Sequence, residues 1–154
     1  MTLQLTSSAF RDGEPIPKVH TCDGTDRSPP LAWRGVPADC RSLAVLCDDP
    51  DAPAGTWHHW AIYDIPAGQT DLPGDVPKAE RVDAMRQALN DFRRAGYGGP
   101  CPPRGHGPHH YHFRLLALSV ERLDLPARAN CRDVARAAAR HKIAEAILVG
   151  TYER

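Results

Sequence analysis

A chain of 154 residues with 19 basic and 19 acidic side chains is long enough to form one domain with its own core, and its formal net charge is zero. A neutral chain has no overall field to attract nucleic acid or an anionic membrane, so we expect no nucleic-acid partner and any anion must be bound locally. The sequence therefore predicts a single domain over residues 1–154.

The cysteines bear on the redox environment. They are odd in number and include no C-x-x-C pair, which argues against a disulfide framework and against a zinc knuckle. We therefore expect reduced thiols at Cys22, Cys40, Cys47, Cys101 and Cys131. The N-terminal residues lack the pattern of a signal peptide, and no later segment is apolar enough to span a bilayer. We expect a cytoplasmic location and no membrane insertion.

Short β-type runs bounded by Gly, Pro or Asp dominate the chain and predict a mainly β fold. In chain order, the predicted strands cover residues 3–7, 16–22, 31–35, 42–47, 57–65, 109–120 and 146–152. The run 42–47 is apolar almost throughout, as in a strand covered on both faces. It leads directly into an acidic turn that begins at Asp48.

Two stretches have helical character. Residues 130–141 are predicted to form a helix, because Asn130 can act as N-cap, Asp133 suits the first turn, and alanines follow. Residues 78–90 place Val82, Met85 and Leu89 at helical spacing, but the same stretch could equally be an irregular loop.

A loop rich in glycine and proline over residues 97–108 opens directly into a strand rich in histidine and tyrosine. Glycines allow the backbone to approach a ligand closely, and prolines hold a loop in shape. Strand alternation sends His109, Tyr111 and Phe113 to one face. We interpret this segment as one wall of a ligand pocket.

The acidic turn 48–53 and the strand after it are the candidates for the opposite wall. Pro50 and Pro53 stiffen the turn where Asp49 would be aimed, although alone it could be a purely structural turn. Alternation places Trp57, His59, Ala61 and Tyr63 on one face of the strand and His58 on the other. His59 is therefore the histidine expected in the pocket.

This combination of side chains favours a small anion. Imidazole and phenol groups can donate to anionic oxygens, and backbone N–H groups near Gly98, Gly99, Gly105 and Gly107 could form an anion-binding nest. Asp49 would oppose a bare anion, yet it could orient and charge a histidine by accepting its N–H. Three charge-assisted bonds of about 1.5–3 kcal/mol each, offset by at least about 4 kcal/mol of lost freedom, predict weak binding of an isolated headgroup.

Four motifs together resemble a known family. They are Asp-Asp-Pro-Asp-Ala-Pro at 48–53, His-His-Trp-Ala-Ile-Tyr-Asp-Ile-Pro at 58–66, Gly-Tyr-Gly-Gly-Pro-Cys-Pro-Pro at 96–103 with Gly-His-Gly-Pro-His at 105–109 and Tyr111, and Thr-Cys-Asp-Gly at 21–24 with Ser-Pro-Pro-Leu at 28–31. In this order they are similar to the phosphatidylethanolamine-binding proteins, particularly the bacterial branch described as Raf-kinase-inhibitor-like. The resemblance runs nearly end to end.

The resemblance implies an antiparallel β-sandwich with small peripheral helices and an anion pocket at one end. It also implies a cis Ala52–Pro53 bond. Members bind phosphate-bearing anions, including phospholipid headgroups, and some regulate kinases or proteases by binding. The candidate ligand-binding residues are the positions that match the family's pocket, together with Gly99 from the predicted nest. They are Asp49, Pro53, Trp57, His59, Gly99, Pro103, His109 and Tyr111.

The chain departs from the family's pattern in three places. His110 stands where an arginine is usual, so support of the pocket could depend on pH. Arg93 and Arg94 lie where bacterial relatives tend to have a glycine. The sequence ends soon after Tyr152, so we expect no additional C-terminal helix and a pocket mouth that is open or covered by the second subunit of a homodimer.

The competing class is a hydrolase or a metal-dependent enzyme that uses the Asp/His pocket. Strand alternation divides the histidines between two faces, and no short metal-ligand spacing occurs. No G-x-S-x-G elbow is present, and Cys101 is expected to be a buried structural thiol. The sequence therefore assigns no catalytic residue, metal or cofactor and favours a non-enzymatic binding protein.

Overall fold

Nine strands and one helix form the regular structure of residues 2–154, the part of the chain that the computed structural model describes. The strands and the helix, in chain order, are β1 Gln4–Thr6, β2 Leu31–Arg34, β3 Ser42–Asp49, β4 Trp57–Pro66, β5 Asp71–Leu72, β6 Arg81–Val82, β7 Met85–Gln87, β8 His109–Leu118, α1 Cys131–Ala139 and β9 Lys142–Tyr152. No helix within residues 2–154 is both long and apolar enough to cross a bilayer.

The strands form two antiparallel sheets. One has three strands in the order β1-β2-β5, and the other has six in the order β6-β7-β4-β3-β8-β9. The main apolar core contains Trp33 and Leu72 from the small sheet together with Phe113 and Leu115 from the large sheet. The mainly β prediction and the two antiparallel sheets expected from the resemblance are confirmed.

Helix α1 covers the other face of the large sheet, where a second apolar cluster joins Val134 and Ala138 to Ala61 and Tyr63 of β4. The helix begins as predicted, because the Asn130 side chain accepts the backbone N–H of Asp133 at 2.9 Å. The Asp133 carboxylate in turn accepts the Asn130 N–H at 3.2 Å, which completes a capping box. With both faces covered, β3 is buried along its whole length, as its apolar sequence indicates.

Two predicted elements are wrong or only partly right. Residues 16–22 do not form a strand, because Pro17 has no N–H to give to a ladder and precedes a single 3₁₀ turn over Lys18–His20. Residues 78–90 are not a helix. They form the β6–β7 hairpin, in which Asp83 takes a left-handed conformation at φ 55° and β7 pairs with β4. Tertiary pairing thus overrides the local helical spacing.

Strand β4 carries a bulge at His59. Cys47 of β3 lies opposite Trp60 and Asp48 lies opposite His58, so His59 has no opposing residue on β3. Because an extra residue reverses the alternation, the predicted common face of Trp57, His59, Ala61 and Tyr63 is wrong beyond His59. Ala61 and Tyr63 pack toward α1 instead.

The expectation of five reduced cysteines is wrong, because Cys22 and Cys101 form a disulfide with their Cα atoms 5.4 Å apart. The two residues are separated by 79 positions, and the fold brings them together through a bond from the Cys22 N–H to the Pro100 carbonyl at 3.1 Å. Sequence spacing cannot reveal such a pair. The other three cysteines are buried free thiols, and burial raises the pKa of each.

The expected cis bond is also wrong, since the Ala52–Pro53 peptide is trans. The Ala52 carbonyl accepts the Gly55 N–H at 3.1 Å and closes a β-turn. A trans proline at the second position of a β-turn supplies the φ angle that the turn requires.

Candidate functional site

A cavity of about 290 Å³ lies at the end of the large sheet, beside the acidic turn and the proline-rich loop. Every candidate ligand-binding residue predicted from the sequence lines it except Gly99. The full lining is Asp49, Ala52, Pro53, Trp57, His59, Phe92, Cys101, Pro102, Pro103, His109 and Tyr111. The sequence reasoning did not include Ala52, Phe92, Cys101 or Pro102.

Sheet register explains why the polar side chains meet. Asp49 at the end of β3 lies opposite Trp57 at the start of β4. On the other side of β3, Asp48 lies opposite His112 of β8, so the first residues of β8 stand beside the acidic turn. Alternation along β8 buries His109 and Tyr111 and leaves His110 exposed. The bulge adds His59 to the same cavity.

His109 is held in the centre of a hydrogen-bonded chain. Its Nδ1 lies 2.7 Å from Asp49 Oδ2, and its Nε2 lies 2.6 Å from Nδ1 of His106. A carboxylate only accepts, so Nδ1 of His109 carries the proton on that side. The second oxygen of Asp49 accepts the Asp51 N–H at 2.8 Å. Both Asp49 and His109 are at most 3% exposed, whereas His106 is exposed.

His59 is oriented by the proline-rich loop. Its Nδ1 donates to the Gly98 carbonyl at 2.6 Å, which leaves Nε2 as the ring nitrogen available to the cavity. The ring contacts Phe92 and Tyr111 edge-on, at centroid distances of 5.6 and 5.2 Å. Burial lowers the pKa of His59, although the bond to Gly98 opposes this effect. His59 is therefore a neutral acceptor at pH 7.

Two buried polar atoms have no hydrogen-bond partner among residues 2–154, and both belong to side chains that line this cavity. They are the Trp57 indole Nε1 and the Tyr111 hydroxyl. Burial raises the pKa of Tyr111, so the group remains a hydroxyl and keeps its proton. Because unpartnered buried polar groups are rare, two in one cavity point to a ligand that supplies acceptor atoms.

The proline-rich loop is fastened on both sides. The disulfide ties Cys101 to Cys22, and Arg154 donates from Nε to the Pro102 carbonyl at 2.9 Å while its own carbonyl accepts the Gly105 N–H at 2.9 Å. Arg154 also contacts Asp23 at 3.2 Å. The loop is thus a fixed wall of the cavity.

The predicted glycine nest is not supported. The N–H of Gly98 donates to the His59 carbonyl, that of Gly99 to Asp26 Oδ1 at 2.8 Å, and that of Gly105 to Arg154. These groups are already used within the protein. Gly99 lies behind the cavity wall, where a Cβ atom would collide with the His20 carbonyl. Its role is close packing of two backbone segments.

Phe92 is the most informative residue that the sequence reasoning missed. It lies in a tight turn in which the Asn90 side chain accepts the Phe92 N–H at 2.9 Å and donates to the Gly96 carbonyl at 2.9 Å. The ring packs edge-on against Trp57 at 5.4 Å, yet the residue is 38% exposed. The Asn-Asp-Phe sequence at 90–92 was a signal that could have found it.

The remaining histidines of the two strands do not line the cavity. His58 faces away, and burial lowers its pKa. His110 is exposed on the outer face, where its ring Nδ1 and backbone N–H lie 2.7 and 2.8 Å from Asp51 Oδ2. That bond lowers the pKa of Asp51. Among residues 2–154 no three His, Cys, Asp or Glu side chains are grouped to hold a metal ion.

The cavity therefore presents complementary polar groups on an apolar frame. Trp57 and Tyr111 offer donors, whereas neutral His59 offers an acceptor and Asp49 is already occupied by His109. The frame consists of prolines and the Phe92 ring. Such an arrangement suits a compact polar group with an apolar extension.

Comparisons with known proteins match the chain to one family along nearly its whole length. The sequence profile described as phosphatidylethanolamine-binding protein matches residues 6–153. A UPF0098 protein from Aquifex aeolicus is 49% identical over 152 residues, covering 99% of this chain and 89% of the relative. The Escherichia coli YbcL structure, described as a new member of the mammalian PEBP family, superposes with a TM-score of 0.92 at 38% identity, covering 100% of this chain and 99% of that one.

A third relative bears on location. A Mycobacterium tuberculosis protein named putative lipoprotein LppC is 40% identical over 151 residues, covering 98% of this chain and 72% of the relative.

Proposed function

Since the chain belongs to the phosphatidylethanolamine-binding protein family, we propose that it is a non-enzymatic binding protein for a phosphoryl group or a similar small anion. The ligand group enters the cavity between Trp57, His59 and Tyr111. The observation that carries this proposal is the pair of unpartnered donors, Trp57 Nε1 and Tyr111 OH, in one cavity. Oxyanion oxygens are the acceptors that satisfy both donors at once.

Charge makes the affinity for a free anion modest. Asp49 lies in the cavity wall, and His59 is neutral at pH 7 because burial lowers its pKa. An incoming anion therefore meets a carboxylate without a cationic histidine at His59 to offset it. Contact with the Phe92 ring and the surrounding prolines supplies additional binding energy for a ligand with an apolar extension, such as a phospholipid headgroup with part of its glycerol.

Binding is favoured over catalysis because the polar groups form no nucleophile and base pair. Cys101, the nucleophilic residue type in the lining, is in a disulfide. The Asp49–His109 pair ends on His106 and reaches no hydroxyl among residues 2–154. The hydrolase and the metal enzyme remain alternatives that turnover assays and metal analysis of the purified protein would detect.

A protein target remains part of the proposal. Phe92 is exposed beside the cavity mouth, where a kinase, a protease or a second copy of the chain could cover both the ring and a bound ligand. The location is proposed to be an oxidising compartment in place of the expected cytoplasm. The Cys22–Cys101 disulfide and a relative named as a lipoprotein support this change.

The test uses Tyr111→Phe, which removes one unpartnered hydroxyl and breaks no hydrogen bond within residues 2–154. Inorganic phosphate should raise the melting temperature of the wild-type protein in a saturable manner. The variant should fold normally but bind phosphate roughly 10-fold or more weakly, because a bond to a charged group contributes about 1.5–3 kcal/mol. The matched control is Tyr63→Phe, a tyrosine on the α1 side of the sheet.

Two results would contradict the proposal. Phosphate at millimolar concentration could leave the stability of the wild-type protein unchanged, or the two tyrosine variants could respond to phosphate equally.

A further inference from the structure

The tautomer of His59 is fixed by its surroundings. A backbone carbonyl has no proton to give, so the 2.6 Å contact between Nδ1 and the Gly98 oxygen requires a proton on Nδ1. Gly98 cannot turn away, because its own N–H donates to the His59 carbonyl at 3.0 Å and its Cα packs under the Phe92 ring. The neutral ring therefore presents the lone pair of Nε2 to the cavity.

The surroundings of His59 favour its neutral form. Burial lowers its pKa, and this effect outweighs the bond to Gly98 and the charges of Asp49 and Asp26, which raise it. Of the titratable groups nearest to it, Asp49 on β3 is engaged by His109, Tyr111 on β8 keeps its hydroxyl proton, and Asp26 accepts from Gly99 and Lys78. His59 is thus an acceptor in a cavity whose other unpartnered groups are donors.

The walls of the cavity thus differ in hydrogen-bonding role. His59 accepts through Nε2, whereas Trp57 Nε1 and the Tyr111 hydroxyl donate. Nε2 of His109 is already engaged, because it lies 2.6 Å from Nδ1 of His106.

This division selects among oxyanions. We propose that His59 is a specificity-determining residue that accepts a proton carried by the ligand, so that the cavity takes a protonated oxyanion such as hydrogen phosphate and rejects a fully ionised one such as sulfate. The inference rests on the proposed function and names the chemical form of its ligand. Hydrogen phosphate and sulfate have the same charge and similar size, but only hydrogen phosphate carries an O–H that His59 Nε2 can accept.

The cost of the wrong anion follows from the same geometry. Sulfate would place an oxygen lone pair against the Nε2 lone pair and leave a buried acceptor without a donor. A site that bonds a particular group strongly rejects an analogue without that group, because a buried group of the site is then left unsatisfied. We expect roughly 10- to 100-fold weaker binding of sulfate than of phosphate at neutral pH.

Isothermal titration calorimetry of the full chain with its disulfide intact, using sodium phosphate and sodium sulfate at one ionic strength, tests this. The expected result is phosphate binding at least about 10-fold tighter than sulfate. Equal affinities, or tighter sulfate binding, would overturn the selectivity while leaving the anion-binding function standing. If neither anion binds, the proposed function fails and the inference fails with it.

The variant His59→Gln assigns the selectivity to this ring. A side-chain amide can turn its NH₂ group toward sulfate, so the preference for phosphate should shrink to about 3-fold or less. His58→Gln is the matched control, since His58 is the adjacent histidine and does not line the cavity. It should keep the wild-type preference, and loss of the preference in this control would overturn the assignment.

A measurement on the wild-type protein covers the case in which His59→Gln does not fold. Long-range ¹⁵N NMR correlation distinguishes a protonated ring nitrogen from an unprotonated one. The expected spectrum shows protonated Nδ1 and unprotonated Nε2 for His59, with and without phosphate. A protonated Nε2 in the free protein at neutral pH would overturn the proposal directly.

Discussion

Nδ1 of His106 lies 2.6 Å from Nε2 of His109, so an exposed side chain occupies the outer hydrogen-bonding position of a buried one. An imidazole nitrogen makes one in-plane hydrogen bond. A ligand oxygen that bonds to Nε2 of His109 must therefore displace His106. The loop need not move for this, because the His106 side chain is exposed and can rotate into solvent.

Removing this side chain should strengthen phosphate binding. In His106→Ala the ligand no longer competes for His109, and the affinity should rise about 2- to 10-fold, the equivalent of one modest hydrogen bond. Calorimetric titration with phosphate measures the change, and His141→Ala, a histidine before β9, serves as control. Weaker binding in His106→Ala would mean that His106 contacts the ligand instead of competing with it.

The disulfide should stabilise the fold and the cavity together. Replacing Cys22 and Cys101 by serine opens a loop of 79 residues and should lower the free energy of unfolding by about 2–5 kcal/mol. Phosphate binding should weaken as well, because Cys101 lines the cavity. Urea unfolding measures the stability, and wild-type protein treated with a reductant should match the variant.

Thiol counting provides an independent check of the same bond. Denatured protein should react with three equivalents of an alkylating agent without reductant, since three cysteines are free. Five equivalents without reductant would contradict the disulfide.

Stability should fall when the pH drops below the ordinary histidine pKa of 6.5. Burial lowers the pKa of His59, so between that lowered value and 6.5 the unfolded chain binds a proton that the folded chain does not. The contribution of His59 to the free energy of unfolding is therefore constant above pH 6.5, and it decreases as the pH falls from 6.5 to the lowered pKa. Urea midpoints at a series of pH values measure it.

The pH effect can be assigned with two variants. His59→Gln should have a shallower slope between neutral and mildly acidic pH than the wild type. His58→Gln should reduce the slope as well, because burial also lowers the pKa of His58. A wild-type slope in both variants would show that neither ring is responsible.

A buried ion pair on the side of the sheet away from the cavity should matter for stability alone. Arg86 donates to Asp64 at 2.9 Å and to the Leu123 and Leu125 carbonyls at 2.7 and 3.0 Å, and it lies over the Tyr63 ring. Arg86→Met leaves the Asp64 carboxylate buried without its partner, which should cost about 3–5 kcal/mol.

Two comparisons make the prediction specific. Adding Asp64→Asn to Arg86→Met should recover part of the lost stability, because the uncompensated charge is removed. Phosphate affinity should be unchanged in both proteins, and a large loss of affinity would contradict the separation of this pair from the cavity.

Local patterns are sufficient where one segment determines its own conformation. The Asn130–Asp133 capping box and the apolar run of β3 depend on neighbouring residues, so helix α1 and the central strand were predictable. The alternation of His109 and Tyr111 along β8 is equally local. Strands β3 and β8 place Asp49, His109 and Tyr111 in the cavity lining.

The features that escaped prediction depend on contacts that local sequence patterns do not encode. The Cys22–Cys101 bond, the β7–β4 pairing and the bond from His106 to His109 each need the folded chain before they can be recognised. The role of Phe92 depends on Asn90, which folds the turn that brings its ring to Trp57.

The bulge in β4 makes the cavity depend on the number of residues in a strand. His59 is the additional residue between the positions opposite Asp48 and Cys47. Deleting it would restore regular pairing, in which Trp60, His58 and Trp57 keep Cys47, Asp48 and Asp49 as partners, and would remove an imidazole from the cavity. A protein of this fold could thus keep its sheet and core and lose the histidine acceptor of its cavity through the loss of a single codon.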